Sequence, residues 1–236
     1  MNLSNNFRIF SVQMTEFDYQ WKNLPSDEIE YNDLRIQEFL SFTNVNPEIC
    51  IQGKDCLDVG CGIGRYTYAM QKLGANKVYS LDISSEAINK CRKINPNAFI
   101  FNIMNLLPNP IYDFVLSWGV LHHLQDPRRA FSKVASQVKK ENGILHVMLY
   151  HKDTQKMYEE GRKIWPELSL DQRLAYCNKK AQSNGGTIHG WFDACNPSYN
   201  WGFTEKEIKN WFKEEGFSNI TLVTKHNINM NGQYRN

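Results

Sequence analysis

Cys56-Leu57-Asp58-Val59-Gly60-Cys61-Gly62-Ile63-Gly64 carries the reading of the fold. A short apolar run ends beside an acid, and glycines follow at alternate positions. Such a run reads as a buried strand that breaks into a loop and then a helix. Glycine at 60, 62 and 64 strips side chains from the loop. Its backbone can then turn tightly and lie directly against a ligand.

Outward from this loop, strand and helix patterns alternate. Leu57–Val59 is the first strand. A helix from Arg65 to Leu73 closes at Gly74, the residue suited to a helix C-terminus. Val78–Leu81 is the second strand and ends at Asp82. Ser84 or Ser85 caps the next helix, which carries Ala87, Ile88 and Cys91 and stops before Asn95-Pro96. Ala98–Phe101 and Tyr112–Ser117 are the third and fourth strands. Pro127 opens a helix with Ala130, Phe131, Val134 and Val138 on one face. Gly143–Leu149 is the fifth strand. This alternation predicts an α/β fold, a doubly wound and mostly parallel sheet with helices on both faces.

Residues 151–203 break the pattern. A polar helix is expected at about Thr154–Ile164 and a second at about Leu170–Ser183. Asn184-Gly185-Gly186 and an aromatic stretch from Trp191 to Phe203 follow. Thr204 and Glu207 form a capping box for a helix from Glu205 to Glu215. Ile220–Thr224 and Ile228–Tyr234 bring the sheet to seven strands. Residues 1–50 are aromatic-rich, including Phe7, Phe10, Phe17 and Trp21. They hold one expected helix around Leu34–Phe42, ended at Thr43-Asn-Val-Asn-Pro47. The chain therefore reads as one domain: an N-terminal lid (1–50), a cofactor-binding core (51–150), a substrate cap (151–203) and a closing helix with two strands (204–236).

Composition narrows the function. The chain has 236 residues, with 27 basic against 25 acidic, so no global field gathers nucleic acid. No apolar stretch is long enough to span a membrane. Met1-Asn-Leu-Ser-Asn-Asn-Phe-Arg8 lacks the layout of a signal peptide, and a cytoplasmic location is expected. The six cysteines show no Cys-x-x-Cys pair and no zinc-like spacing, so no metal is expected.

The loop's spacing, Gly-x-Gly-x-Gly, departs from the Gly-x-Gly-x-x-Gly of a dinucleotide site. Asp58 just before it would repel a pyrophosphate and suit an ammonium group. S-adenosylmethionine offers a zwitterionic end and no phosphate. Asp82, at the end of the next strand, can take both ribose hydroxyls.

On these residues the chain resembles the class I S-adenosylmethionine-dependent methyltransferases, most closely the small-molecule branch called methyltransferase type 11. The resemblance rests on Leu57–Arg65, Leu81–Ser84, Ser117–Pro127 and Asn142–Leu145, four segments in family order. It implies a cofactor site at Asp58, Gly60, Cys61, Gly62, Gly64, Arg65, Asp82, Ile83, Ser117 and Trp118. The family often places an Asp after the third strand. Here the stretch is Asn102-Ile103-Met104-Asn105, so the backbone of Ile103 or Met104, with Asn102 or Asn105, is expected at the adenine. Trp21 is expected to close over the cofactor.

Methyl transfer to a hydroxyl is helped by a base, and histidine suits neutral pH. His122 and His123 follow the fourth strand. The pair can serve as base, with His123 preferred, or can pack the loop beneath the cofactor. His151, His189, Trp191, Asp193 and Tyr199 are expected at the acceptor, with Phe192, Trp201 and Phe203 as core. Asn109-Pro110-Ile111-Tyr112 and Asn196-Pro197-Ser198-Tyr199 look like the Asn-Pro-Pro-Tyr motif of amino methylation but stand in the wrong places. The expected activity is methylation of an oxygen, or a nitrogen, of a polar small molecule such as a sugar, a sugar-linked phosphate or a glycan precursor. An RNA methyltransferase and a non-catalytic cofactor-binding module are the alternatives.

Overall fold

The computed structural model describes residues 15–24, 31–109, 111–224 and 227–234. Phe7, Phe10 and Pro110 lie outside the described residues. Among the described residues three helices come first: α1 (Asp18–Asn23), α2 (Asp33–Thr43) and α3 (Pro47–Cys50). Then strand and helix alternate: β1 (Asp55–Val59), α4 (Arg65–Lys72), β2 (Lys77–Asp82), α5 (Ser85–Cys91), β3 (Ala98–Ile100), β4 (Phe114–Trp118), α6 (Pro127–Ala135) and β5 (Ile144–Leu149). The insertion holds α7 (Lys152–Lys156), α8 (Glu159–Ile164), α9 (Leu170–Asn184) and α10 (Ile188–Cys195). The chain closes with α11 (Glu205–Glu214), β6 (Asn219–Thr224) and β7 (Ile228–Gln233).

The strands form one sheet in the order β3-β2-β1-β4-β5-β7-β6. The first five run parallel, and β7 is antiparallel to both neighbours. Parallel strands covered on both faces must be apolar throughout. All six residues of β5 are buried accordingly. The edge strand β6 alternates in exposure instead. Strand order reverses between β1 and its neighbours β2 and β4, which opens a crevice at their carboxyl ends. Open α/β sheets bind ligands at this switch point.

Apolar side chains cover both sheet faces. One cluster joins Val115, Phe131, Val134, Leu145 and Phe212; the other joins Phe39, Met70, Phe114 and Leu116. A third cluster lies apart from the sheet. It joins Leu24 and Tyr19 at α1 to Trp165, Cys177, Trp191, Phe192 and Cys195 of the insertion. The N-terminal segment and the insertion thus share one apolar core.

Several boundaries differ from the expectations. Asn44, with φ 49°, ends α2 in the left-handed conformation that asparagine tolerates. Pro47 does not end that helix. It opens α3, where its missing N–H costs nothing. The polar helix at 154–164 is two short helices parted at Met157-Tyr158. The aromatic stretch contains α10, capped by the Thr187 side chain, which accepts from Gly190 N at 3.0 Å. Its signal was present in Ile188, Trp191, Phe192 and Cys195, which fall on one helical face. Trp201, expected in the core, is 46% exposed; its indole N–H donates to Leu124 O at 3.0 Å. All six cysteines are free thiols. No helix among the described residues is long and apolar enough to cross a membrane.

Candidate active site

The loop after β1 is built from its own backbone. Gly60 N and Cys61 N both donate to Leu81 O of β2, at 2.7 and 3.0 Å. Gly62 N donates to Asp82 Oδ2 at 2.8 Å, so the loop and the second acid hold each other. Gly62 has φ +53°, and a Cβ there would stand 2.8 Å from the Trp21 ring. The positive φ favours glycine at 62, and any Cβ there would push the Trp21 ring aside. Gly64 serves differently. It caps α4, and a Cβ on it would meet Cys91 Sγ at 2.7 Å, so it lets α4 and α5 approach and does not line the cavity.

Two buried carboxylates face the cavity above this loop. Asp58 accepts the Thr67 hydroxyl at 2.7 Å. Burial pushes its carboxyl up to about 7; the Thr67 hydrogen bond opposes this and the Asp82 charge adds to it. Burial pushes Asp82 up to about 6, against the N–H groups of Ser84, Gly62 and Ile83. A ligand that brings an ammonium group and vicinal hydroxyls would satisfy both acids. The residues fit the methionine and ribose parts of S-adenosylmethionine on this ground.

The cavity measures about 540 Å³, within the usual range for a small-molecule site. Cys61, Arg65, Ile83, Asn102, Ile103, Trp118 and Trp21 line it as expected. Ser117 and Met104 do not. Ser117 is fully buried within β4, and Met104 packs on the sheet core, its N–H donating to Asn102 Oδ1 at 2.9 Å. Phe101 lines the cavity beside them, on the apolar run that ends β3.

At the other end, residues from three distant segments meet. His123 Nδ1 lies 3.2 Å from Tyr199 O, and Nε2 lies 3.3 Å from Asp193 Oδ2. Asp193 Oδ1 accepts the amide of Gln20, a fully buried residue of α1, at 2.6 Å. Burial pushes the Asp193 carboxyl up, but His123 and Gln20 outweigh it and hold it below the usual carboxylate range. His189 lines the same wall. Its ring centroid sits 4.6 Å from that of Trp21, and its Nε2 is 3.4 Å from the Gln20 amide nitrogen. Trp191 also lines the cavity, with its indole N–H donating to Gly185 O at 2.9 Å.

Three residues expected at the chemistry or the acceptor also stand elsewhere. His122 is fully buried and stacks on Tyr150 at 3.9 Å; burial and the neighbouring His123 push its pKa well below the ordinary value. It is therefore neutral and faces no acceptor. His151 caps α7, with Nδ1 accepting from Asp153 N at 3.2 Å. Tyr199 turns its ring onto Trp201, 6.4 Å between centroids, and presents only its carbonyl to His123. Tyr150, Tyr158 and Thr187 line the cavity and were missed, as was Gln20, which holds Asp193 without lining the cavity itself. None carries a chemical signature in sequence; only the fold brings them to these places.

A family model described as a methyltransferase domain matches residues 30–222. The chain is 29% identical over 126 residues to the tRNA U34 carboxymethyltransferase of Campylobacter hominis, covering 50% of this chain and 44% of that one. It is 26% identical over 142 residues to the mitochondrial ubiquinone biosynthesis O-methyltransferase of Dictyostelium discoideum, covering 52% and 44%. The chain thus spans less than half the length of either relative. Among solved structures, the magnesium protoporphyrin IX methyltransferase of Synechocystis with bound SAH superimposes with a TM-score of 0.58 at 15% identity, covering 94% of this chain and 93% of that one.

Proposed function

The chain belongs to the methyltransferase domain family and has the fold of the class I S-adenosylmethionine-dependent enzymes, and from that premise we propose that it methylates a hydroxyl on a small polar molecule that carries no phosphate. The donor is S-adenosylmethionine, which supplies an already activated methyl group. Asp58 pairs with its ammonium group, Asp82 takes the ribose hydroxyls, and Trp21 covers the loop.

The observation that carries the acceptor reading is the His123–Asp193 pair, 3.3 Å apart in the wall of the cavity that also holds Asp58 and Asp82. The contact between the pair falls short of hydrogen-bond alignment, so the buried Nε2 has no hydrogen-bond partner among the described residues, and the side chains around it shift to let an acceptor hydroxyl reach it. Donation from Nδ1 to the Tyr199 carbonyl selects the tautomer with its lone pair on Nε2. His123 then takes the hydroxyl proton as the methyl group leaves sulfur for oxygen, and Asp193 stabilises the imidazolium that forms. Alignment of the two reactants and exclusion of water supply the rest. Helix α1 and the insertion, joined by their shared core, act as the cap that closes the acceptor end. Phe17, Tyr150, Tyr158 and Trp191 offer it apolar walls. Asp193 in that wall disfavours a sugar-linked phosphate, because two anions would share a site of low dielectric.

The relative named for tRNA favours a second reading, methylation of a nucleic acid. Release of S-adenosylhomocysteine, measured over neutral alcohols and phenols, their phosphate esters and total tRNA, separates the two. Turnover is expected with the neutral hydroxyl compounds. Turnover with tRNA alone, falling steeply with added salt, would replace this reading with the second.

A further inference from the structure

Asp58 is tied to a chain of polar side chains that runs away from the cavity, beneath the glycine loop. The Thr67 hydroxyl, on α4, lies 2.7 Å from Asp58 Oδ2 and 2.7 Å from Ser80 Oγ on β2. Ser80 Oγ lies 2.9 Å from Asn95 Nδ2, in the turn after α5, and the same Nδ2 reaches Val78 O at 2.9 Å. All three side chains are buried: Thr67 and Ser80 at 0% exposure and Asn95 at 1%. Proton bookkeeping gives the chain one direction. An amide nitrogen only donates, so Ser80 accepts from Asn95. An ionised carboxylate only accepts, so the Thr67 proton goes to Asp58. Ser80 must then give its proton to Thr67. Each hydroxyl donates once and accepts once, and every proton points toward Asp58.

We propose that Thr67, Ser80 and Asn95 are positioning residues that hold Asp58 as a fixed hydrogen-bond acceptor for the cofactor's ammonium group, and so set cofactor affinity. The inference rests on the reading of Asp58 as the partner of that ammonium. Hydrogen bonds chained in a dry interior polarise one another, and a neutral apolar filling would pack as well without this effect. Other groups act on Asp58 too: Asp82 from the end of β2, the Cys61 thiol in the loop and the Cys56 thiol on its own strand, while Arg65 and Tyr66 of α4 line the same cavity. None of them changes when Thr67 is replaced by its isostere valine.

The test is calorimetric titration of S-adenosylmethionine into wild type, Thr67→Val, Thr67→Ser and Asp58→Asn across about pH 6 to 8. Binding needs the carboxylate, so affinity falls with pH as Asp58 protonates near 7. Loss of the Thr67 donor moves that fall to higher pH. Thr67→Val is expected to bind about tenfold more weakly near neutral pH, as befits a lost hydrogen bond to a charged group. Thr67→Ser restores both affinity and pH profile. A Thr67→Val protein with wild-type affinity and profile, beside an Asp58→Asn protein that binds poorly, overturns the relay and leaves the ammonium reading standing. Undiminished binding by Asp58→Asn overturns both. If Thr67→Val fails to fold, Ser80→Ala, which removes the donor to Thr67, is titrated in its place. The same direction of change is expected and wild-type behaviour overturns the relay.

Discussion

His123 Nε2 stands 3.3 Å from Asp193 Oδ2, and through that contact the turn after β4 meets helix α10 of the insertion. His123 is 5% exposed, and the Asp193 side chain is 25% exposed. The Gln20 amide on the other Asp193 oxygen adds α1 to the junction. Sheet, insertion and N-terminal helix are held at one point, and that point borders the cavity.

The pair couples energetically. In a double-mutant cycle of His123→Ala and Asp193→Ala, read by urea unfolding, the two losses are expected to be non-additive by about 1–2 kcal/mol. Each single change strands a partner in a mostly buried place. Strict additivity would mean that the contact does not hold the cap.

Cofactor binding moves protons. Asp58 and Asp82, raised to about 7 and about 6, keep protons in the empty folded protein that the unfolded chain has already lost. Their contribution to stability is therefore full below the ordinary carboxylate pKa of about 4 and lost as pH rises through 6 and 7. In the proposed reading, S-adenosylmethionine needs both ionised. Calorimetry near pH 6.5 in buffers of different ionisation enthalpy is expected to show release of up to about one proton, falling toward zero near pH 8. The rise in Tm on adding cofactor grows over the same interval. Proton uptake on binding near pH 6.5, where the cofactor's amino group is already protonated, would contradict the assignment.

His122 is dispensable to the chemistry. Neither ring nitrogen has a hydrogen-bond partner among the described residues, and the ring stacks flat on Tyr150. Phenylalanine keeps the stack and removes two unsatisfied polar atoms. His122→Phe is expected to match or exceed wild type in Tm and to keep turnover within about threefold. A loss of turnover comparable with that of His123→Ala would return His122 to the catalytic list.

Trp21 reports on the loop. Gly62→Ala places a methyl group against the indole, at a φ that alanine resists by about 1 kcal/mol. The indole must shift, so the variant is expected to lose S-adenosylmethionine affinity at least tenfold, with a changed tryptophan emission. Wild-type affinity would mean that Trp21 does not cover the cofactor.

The sheet and the cofactor end were legible because their signals are local. A buried strand, a glycine loop and a flanking acid sit within a few residues, and Asp58, Gly62 and Asp82 fell where their spacing placed them. The acceptor end resisted for the opposite reason. Gln20, His123 and Asp193 become neighbours only after α1 and α10 fold onto one apolar core. Short α1 has no room for a periodic signal. Helix α10 has one, but its aromatic content masked it as loop. The Tyr199 ring is what its sequence offers to a pocket, whereas its backbone carbonyl is what meets His123, and any residue type supplies a carbonyl. His122 and His123 look alike in sequence; only the turn at Leu121–His123 sends one into the core and the other to the cavity.

The most direct test of the account is the turnover of Asp193→Asn, followed as radiolabelled methyl transfer from S-adenosylmethionine to the best neutral hydroxyl acceptor. Asparagine keeps the shape and removes the charge proposed to stabilise the His123 imidazolium. A fall in kcat of about a hundredfold or more is expected, with cofactor affinity within about twofold of wild type. Undiminished kcat in that variant would contradict it.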